Sequence, residues 1–415
     1  MNATPHPPAA TMAPTQALAV VVLTGLLVIE RNLTTTGEWV ATHYLFSYQD
    51  GLRKRALVGS VLRAVTGDAP VTVELVTALG LLQLLVFVAL AGLLTAAVAR
   101  RDREDATTAL LLGVLVVAST HARTLVVDVG RFDVLLLSLL LVVALLALWD
   151  ARAGLVALPP LVLAGMLVHE ISLVATAPLM ALMVLHRLRS LDRARTWLVA
   201  GVGSAALTAA VAATFVATAG RSRDVAGAAM LSASRRAAFA PTSDAIMIQS
   251  SSTLDNVRLA LGRLVDVGPP AVLVLLVVAV PACVIAYEVT LRHDRSRAAR
   301  LLGVAALSPL LLMLVGADYG RWTVLAVLNV LVLALWWRGV HRGALRTTDG
   351  TTDGTGGERR LPGLDLRRLG MLALTLLALL LPSPSRGGLG FPGVMTSSGS
   401  VLRTSGEELL RLLTG

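Results

Sequence analysis

The sequence predicts an all-α protein, a polytopic bundle of about eleven transmembrane helices. Composition is the first observation: 55% of the 415 residues are hydrophobic, only 15% are charged, and the mean hydropathy is +0.76. An ordinary soluble domain is about 25% charged. The second observation is that the apolar residues form long blocks separated by short arginine-rich gaps. This pattern is typical of a membrane bundle, in which each spanning segment satisfies its own backbone as a helix.

Charge and cysteine content exclude several kinds of partner and site. The formal net charge is +10, and arginine supplies nearly all the positive charge because Lys54 is the only lysine. Since no basic patch is interleaved with aromatic residues, we expect no nucleic-acid partner. Cys283, the only cysteine, lies in an apolar run, which excludes an intramolecular disulfide or a multi-cysteine metal site. We assign no metal ligands and leave the cofactor unassigned.

The apolar blocks give the candidate spans in chain order, since a helix needs about 20 apolar residues to cross the hydrocarbon core. The first block lacks a basic flank and a small-residue cleavage site, so it is predicted to be a retained span rather than a signal peptide. The single-pass candidates are residues 13–29, 73–99, 106–120, 132–149, 197–219, 271–291, 301–316, 322–337 and 369–381.

The block at residues 155–185 is too long for one span and short for two. Short cytoplasmic loops concentrate arginine, so the basic gaps are expected on the cytoplasmic side. The block must then cross twice, which places His169 and Glu170 at the outer turn of a helical hairpin and gives an inner N-terminus and an outer C-terminus. The basic gaps are residues 100–103, 152, 187–195, 292–300 and 338–368.

This topology defines the expected domain organisation. Residues 52–65 mix basic and apolar side chains, which favours an interfacial amphipathic helix. The loop at 220–270 is expected to be a cover over the membrane or a spacer. The predicted parts are a bundle over 1–382, with outer loops 31–72 and 220–270 and an inner linker 338–368, and a short outer tail 383–415; smaller outer segments are 121–131 and 318–321.

The first candidate site is the polar stretch at residues 44–55. Asp50 is suited to be a general base or a metal ligand. Arg53, Lys54 and Arg55 are suited to clamp a phosphate, because arginine offers a planar fork of donors and lysine a point charge. The alternative is an interfacial helix whose basic residues hold lipid headgroups.

Two further candidate sites pair arginine with aspartate. Arg123 and Arg131 flank the start of the span headed by Asp133 and are candidate substrate-binding residues; the alternative is an outer ion pair that fixes helix ends. Asp318 and Arg321 are spaced to meet on one helical face, which also favours substrate binding. The alternative there is an interfacial aromatic belt.

The remaining candidate is the His169-Glu170 pair within an apolar block. Ionisable residues at membrane depth are costly and usually face a cavity or a partner. A glutamate beside a histidine suits proton transfer, and burial would raise the pKa of Glu170 toward neutrality. We therefore expect both residues to be catalytic, although a solvated turn is the alternative.

These features resemble bacterial envelope-glycan enzymes, namely the GT-C glycosyltransferases that use polyprenyl-phosphate sugars and the related O-antigen-type polymerases. The resemblance lies in the stretch 44–55 with Tyr48 and Asp50, in His169-Glu170, and in the segment 318–322. It implies a GT-C-like fold in the cell membrane and a multi-pass envelope-glycosyltransferase acting in polysaccharide biosynthesis. It also implies a polyprenyl-phosphate donor, a glycan acceptor and surrounding membrane lipids as partners. In such enzymes an acid in the first outer loop serves the acceptor or a metal. Asp50 is the matching position, and Glu38 and Asp68 are the alternatives in that loop.

Two other classes remain open. A multi-pass transporter or lipid-carrier flippase predicts charges near the bilayer midplane and broken helices, and Pro159, Pro160 and Pro178 fit the second expectation. A non-catalytic scaffold of an envelope complex predicts that loss of any one candidate site is tolerated.

Overall fold

The computed structural model describes residues 12–50, 55–102, 106–188, 203, 223–250, 258, 297–314 and 319–348. These residues are predominantly helical and contain no named strand; a single isolated bridge joins Val71 and Ala237. The all-α prediction is thus confirmed for the described part of the chain. The helices are α1 Pro14–Asn32, α2 Glu38–His43, α3 Ala56–Thr66, α4 Val73–Arg101, α5 Ala106–Ala118, α6 Thr120–Val127, α7 Asp133–Trp149, α8 Ala151–Val168, α9 Ser172–Ala175, α10 Ala177–Leu188, α11 Arg223–Arg236, α12 Ser243–Ser250, α13 Arg297–Ala306 and α14 Tyr319–Thr348.

Within the described part of the chain, five helical segments are long and apolar enough to cross a membrane: Pro14–Asn32, Val73–Arg101, Ala106–Val127, Ala151–Val168 and Arg321–His341. Helices α7 and α10 are also apolar but shorter. Helix α7 is buried along most of its length, whereas α1 exposes Leu23 and Leu27 and α8 exposes Val156. Apolar side chains on the outside of peripheral helices are typical of a bundle whose surface faces lipid rather than water.

Glycines allow the first two long helices to pack closely. A Cβ on Gly25 of α1 would lie 2.6 Å from the Val88 side chain of α4, and one on Gly92 would lie 2.8 Å from Leu18. Small residues at such crossings let helix backbones approach, which is how helices associate where lipid already solvates apolar side chains.

The bundle has two distinct ends, because short connections join successive antiparallel helices. We call the end where α6 and α8 finish and α7 and α14 begin the cleft end. At the opposite end, Arg338 Nε lies 2.7 Å from Asp102 Oδ2, and Arg101 donates a hydrogen bond to the Leu148 carbonyl at 2.6 Å. Two of the predicted cytoplasmic gaps therefore meet at one end, while the side of the membrane that this end faces stays a prediction.

Residues 151–188 form a helical hairpin, the arrangement that a double crossing of residues 155–185 requires, while the two membrane crossings themselves stay a prediction. Helix α8 ends at Val168, α10 starts at Ala177, and the two pack together. His169 and Glu170 lie in the turn between them, as expected. Pro159 and Pro160 fall inside α8 and do not end it.

Three of the predicted segments contain secondary structure that the sequence pattern did not indicate. The outer segment 121–131 is mostly helix α6, so only residues 128–132 connect it to α7. The span at 301–316 is instead α13 followed by a 3₁₀ helix, Ser308–Leu314, because Pro309 has no N–H and the Ser308 hydroxyl bonds the Ala305 carbonyl at 2.7 Å. The linker predicted from residue 338 begins within α14, which continues to Thr348.

Some predicted elements lie outside the described residues: the spans 197–219 (except residue 203), 271–291 and 369–381, and the tail 383–415. The count of about eleven spans therefore stays a prediction. The predicted interfacial helix corresponds to α3, which buries Ala56, Gly59 and Leu62 and exposes Val61 and Val65.

Within the loop at 220–270, the described helices α11 and α12 lie against the cleft end. The Val71 N–H donates to the Arg236 carbonyl at 2.7 Å, and the Thr242 N–H donates to the Thr42 hydroxyl at 3.1 Å. Ile246 of α12 packs into a small core with Phe46. This part of the loop is a packed cover rather than a spacer.

Candidate functional site

The cleft end is named for a cleft in which residues from five separate stretches of the chain meet. The empty space in and at the mouth of the cleft is about 270 Å³, a figure that includes open solvent. Three arginines, two histidines and a tryptophan supply most of its wall. The lining residues are Trp39, Val40, His43, Arg55, Gly130, Arg131, Phe132, His169 and Arg321.

The connection that carries Arg131 is held by backbone contacts. Gly130 has φ +90°, a conformation that favours glycine, and a Cβ on Gly80 of α4 would lie 2.5 Å from the Gly130 nitrogen. The buried Tyr44 hydroxyl donates to the Gly130 carbonyl at 2.7 Å, and the Thr36 hydroxyl donates to the Val129 carbonyl at 3.1 Å. The cleft floor is therefore fixed by α2, α4 and the segment after α1.

Arg55 stands at the amino end of α3 in an unusual backbone conformation. Its φ of 57° lies in the left-handed region, which is rare for a residue with a side chain and costs of order 1–3 kcal/mol. Helix α3 is pressed onto the preceding segment, since a Cβ on Gly59 would lie 2.0 Å from the Phe46 carbonyl oxygen. Such strain persists where the surrounding packing requires it, and here it directs the Arg55 side chain into the cleft.

Arg55 forms a two-pronged ion pair with Glu170. Arg55 Nη2 lies 2.7 Å from Glu170 Oε1, and Nε lies 3.1 Å from Oε2. The pair joins the amino end of α3 to the turn after α8. Because the fork uses Nε and Nη2, both Nη1 hydrogens point away from the carboxylate.

Arg321 forms a second fork, with Asp133. Arg321 Nη2 donates to Asp133 Oδ1 at 2.7 Å, and Nε donates to Oδ2. The Asp133 side chain is 2% exposed and lies in the first turn of α7, where a negative charge is favoured by the helix dipole. The Arg321 guanidinium also lies 5.1 Å from the centre of the Trp322 ring.

Arg131 completes the set of cleft arginines. Its Nε lies 3.5 Å from Asp128 Oδ2, and its guanidinium lies over the Trp39 ring at 5.5 Å. Trp39 in turn meets the His43 ring edge-on, with 4.5 Å between ring centres. One wall of the cleft is therefore a half-buried indole that contacts the Arg131 guanidinium and the His43 ring.

The His169 ring is 2% exposed and is held at its Nδ1 atom. Nδ1 lies 3.2 Å from Glu170 Oε2, and the Ile171 N–H points to the same nitrogen at 3.3 Å. The other nitrogen, Nε2, is buried and has no hydrogen-bond partner among the residues that the structure describes. His169 is also one of the residues that line the cleft.

Burial and charge set the protonation of the site. Burial, followed by the nearby Arg55 cation, lowers the pKa of His169 to about 4, and burial and Arg55 also lower the pKa of His43. Both rings are thus neutral at pH 7. Burial alone would raise the pKa of Glu170, as expected from the sequence, but Arg55 and His169 outweigh it and hold that pKa well below its usual value. The expected near-neutral Glu170 base is therefore wrong.

The predicted site residues have mixed outcomes. The structure brings Arg55, Arg131, His169 and Arg321 to one cleft, with Glu170 directly behind. Arg123 instead lies buried in α6 and is not part of the cleft wall. Arg53, Lys54 and Asp318 lie outside the described residues, and only the backbone of Asp50 is described.

Sequence reasoning missed two cleft residues and one pairing. Trp39 and His43 were not singled out, although their spacing of four places them on one helical face. Arg321 was expected to face Asp318, and Asp133 was grouped with Arg131. Arg321 and Asp133 are instead each other's partners, 188 positions apart in the chain. No local spacing signals such a contact.

The chemistry of this wall suits an anion beside a polar molecule: fixed guanidinium donors, a neutral buried imidazole and an indole. Among the described residues, no group of three or more His, Cys, Asp or Glu side chains is arranged to hold a metal ion. Comparison with protein-family models, curated proteins and solved structures found no match for this chain.

Proposed function

We propose that this protein is a membrane glycosyltransferase or glycan polymerase that takes its sugar from a polyprenyl-phosphate-linked donor at the cleft. One observation carries the proposal. Two guanidinium forks from distant parts of the chain, Arg55 and Arg321, are each fixed by a carboxylate and line one cleft together with Arg131.

The three arginines suit the leaving group of such a reaction. Glycosyl transfer from a phosphate-linked donor releases negative charge on a phosphate oxygen, and donors held in place before the reaction stabilise that charge. Arginine binds phosphate oxygens through paired N–H groups, and each fork leaves its Nη1 hydrogens for that purpose. The carboxylates hold the guanidinium groups in one orientation, so little side-chain ordering accompanies binding.

The position of the cleft suits a lipid-linked donor. It lies at one end of a bundle whose peripheral helices expose apolar side chains. A polyprenyl tail can therefore remain in the lipid beside the bundle while its phosphate reaches the cleft. Trp39 offers a flat apolar face of the kind on which the C–H face of a sugar ring packs.

The rival transporter reading receives less support. In the described spans, the charged residues stand near the helix ends, as Glu74, Arg100, Arg152 and Arg338 do. A carrier that moves a charged substrate is expected to place ionisable groups near the midplane. Helix α8 also continues through its two prolines instead of breaking.

The test uses the purified full chain in nanodiscs and a strain that lacks its gene. We expect wild-type protein to transfer sugar from one member of a panel of polyprenyl-phosphate-linked hexoses to membrane glycan, and to restore glycan assembly in the strain. Arg321→Gln should abolish both, whereas Arg63→Gln, an arginine paired with the exposed Asp68, should retain both. Flux of the lipid-linked sugar across liposomes without a covalent product would overturn the proposal in favour of the transporter.

A further inference from the structure

We infer that His169, through Nε2, accepts the proton of the acceptor hydroxyl, and that Glu170 positions the ring instead of acting as the base. This inference rests on the proposed function. It assigns separate roles to two neighbours that the sequence alone treats as one acid–base unit.

The first argument is geometric. His169 is the residue that ends α8, and its N–H bonds the Gly165 carbonyl at 2.8 Å, so the ring leaves a fixed backbone position. Nδ1 lies beside Glu170, whereas Nε2 is buried and has no hydrogen-bond partner among the described residues, in a residue that lines the cleft. A buried polar atom without a hydrogen bond is costly, and such atoms in native proteins often mark a site where a ligand binds.

The second argument concerns the tautomer. Nδ1 can donate a hydrogen to Glu170 Oε2 or accept one from the Ile171 N–H, but a neutral ring cannot do both. The ionised carboxylate forms the stronger, charge-assisted hydrogen bond, so the hydrogen is favoured on Nδ1. Nε2 then carries the lone pair, which is the form that a proton acceptor needs.

The third argument excludes Glu170 from that role. Both of its oxygens accept hydrogen bonds from Arg55, and one also lies near Nδ1 of His169. A carboxylate held in this way is a weak base. It is well placed, however, to stabilise the imidazolium that forms when Nε2 takes up a proton, as an acidic residue does for histidine in other proton-transfer sites.

The surroundings keep His169 ready to accept a proton. Nearby cations favour the neutral ring before reaction, and Glu170 and the departing phosphate favour the charged ring after it. The titratable and charged groups that face His169 are His43 from α2, Arg55 from the start of α3, Asp133 from α7, Glu170 from the same turn and Arg321 from α14.

The reaction step balances in atoms and charge. The acceptor oxygen forms a bond to the anomeric carbon of the sugar while its O–H proton passes to Nε2. The bond between the anomeric carbon and the phosphate oxygen breaks, and its electron pair stays on the phosphate. Arg55 and Arg321 hold the phosphate, and the proton later passes from His169 to water.

The test compares His169→Gln with wild type in the donor–acceptor pair that gives product. Glutamine keeps a polar group near the Nε2 position but accepts no proton at neutral pH. We expect kcat to fall at least about 100-fold, in line with general-base catalysis, while binding of citronellyl phosphate, a short prenyl phosphate, changes less than twofold. Added imidazole should restore part of kcat in His169→Ala. Glu170→Gln should lower kcat about tenfold, a positioning effect, and shift the acid limb of its pH profile.

A measurement on unmodified protein covers the case in which these variants fail to fold. The bound donor is a phosphodiester that carries one negative charge, which raises the pKa of His169, so the acid limb of kcat should lie at higher pH than that of kcat/KM. Coincident limbs, or unchanged kcat in a folded His169→Gln protein while Arg321→Gln loses activity, would overturn the role of His169 and leave the proposed function standing. Absence of product from every donor with wild-type protein overturns both.

Discussion

Arg321 and Asp133 lie 188 positions apart in the chain, yet their side chains meet in a two-pronged ion pair at the start of two central helices. The Asp133 side chain is 2% exposed and that of Arg321 is 11% exposed. Removal of one member of a buried pair leaves an uncompensated charge, whereas replacement of both by apolar residues is often neutral. The pair therefore allows stability and function to be separated by mutation.

We expect Asp133→Asn to lower the free energy of unfolding by about 3–5 kcal/mol, because Arg321 would lose its buried counter-charge. The double variant Asp133→Leu with Arg321→Met should recover most of that stability and still lack transferase activity. Thermal unfolding in detergent, followed by circular dichroism, measures the first effect and a sugar-transfer assay the second.

The control for this pair is Asp68→Asn, which breaks the exposed pair with Arg63 and should cost at most about 1 kcal/mol. Full transferase activity in the double variant would show that Arg321 serves only to hold α14 against α7, and the proposed phosphate contact would be lost.

The Arg55 fork leads to a prediction about shape rather than charge. Arg55→Lys keeps the positive charge but removes the planar fork, so Glu170 can no longer be held at two points. We expect the Kd for citronellyl phosphate to rise about tenfold, which corresponds to about 1.4 kcal/mol. Calorimetric titration measures it, with Arg63→Lys as the matched control. Equal affinity in both variants would mean that Arg55 does not contact the anion.

The protonation of His169 predicts how stability depends on pH. Its pKa is about 4 in the folded protein and near 6.5 when unfolded, so between these values the unfolded state binds more protons. Stability from this group is complete above about pH 6.5 and decreases as the pH falls toward 4, by roughly 3 kcal/mol. Glu170, whose pKa is depressed, loses its contribution only below its unfolded value near 4.5.

Melting temperatures between pH 7.5 and 4.5 measure this effect. The decrease on acidification should be smaller in His169→Gln than in wild type, because glutamine does not titrate. Parallel curves for the two proteins would contradict the buried, neutral state of His169.

The sequence predicted the hairpin turn and pointed to all three cleft arginines, and the physical reasons are local. Long apolar blocks must form helices in lipid. All the arginine-rich gaps can lie on the cytoplasmic side only if residues 155–185 cross twice, and that second crossing places His169 in a turn. The partners of those residues could not be predicted in the same way. Arg321 had a nearby acid at the right helical spacing, Asp318, whereas its partner Asp133 is set by the packing of α14 against α7, which no short pattern encodes.

Glu170 shows the same limit for electrostatics. Burial was evident from the sequence, and burial alone raises the pKa of a carboxyl group. The pKa of Glu170 is instead lowered, because Arg55, which lies 115 positions earlier in the chain, contacts its carboxylate. The sign of a pKa shift at such a site depends on tertiary contacts, while the position of the group in a turn follows from the chain itself.

Two glycines with positive φ provide a matched test of the cleft floor. Gly130 has φ +90°, and a Cβ added there would lie 3.2 Å from the Thr36 hydroxyl oxygen. Gly67 has φ +62°, and a Cβ added there would meet no atom within 4 Å. Alanine at either position is strained, by roughly 1 kcal/mol or more. Only Gly130→Ala is expected to displace Arg131, so it alone should raise the Kd for citronellyl phosphate. Equal binding by both variants would argue that Arg131 is not part of the anion site.

The last prediction concerns the side of the membrane that the cleft faces. The proposed function needs the cleft at the outer face, and the distribution of arginine predicts this orientation. In a Cys283→Ser background, we place single cysteines at Asp68, which is 83% exposed near the cleft end, and at Arg152, which is exposed at the opposite end. A membrane-impermeant maleimide added to intact cells should label the Asp68→Cys protein and leave the Arg152→Cys protein unlabelled until the cells are lysed. The reverse pattern would place the three cleft arginines in the cytoplasm, where a donor presented at the outer face cannot reach them.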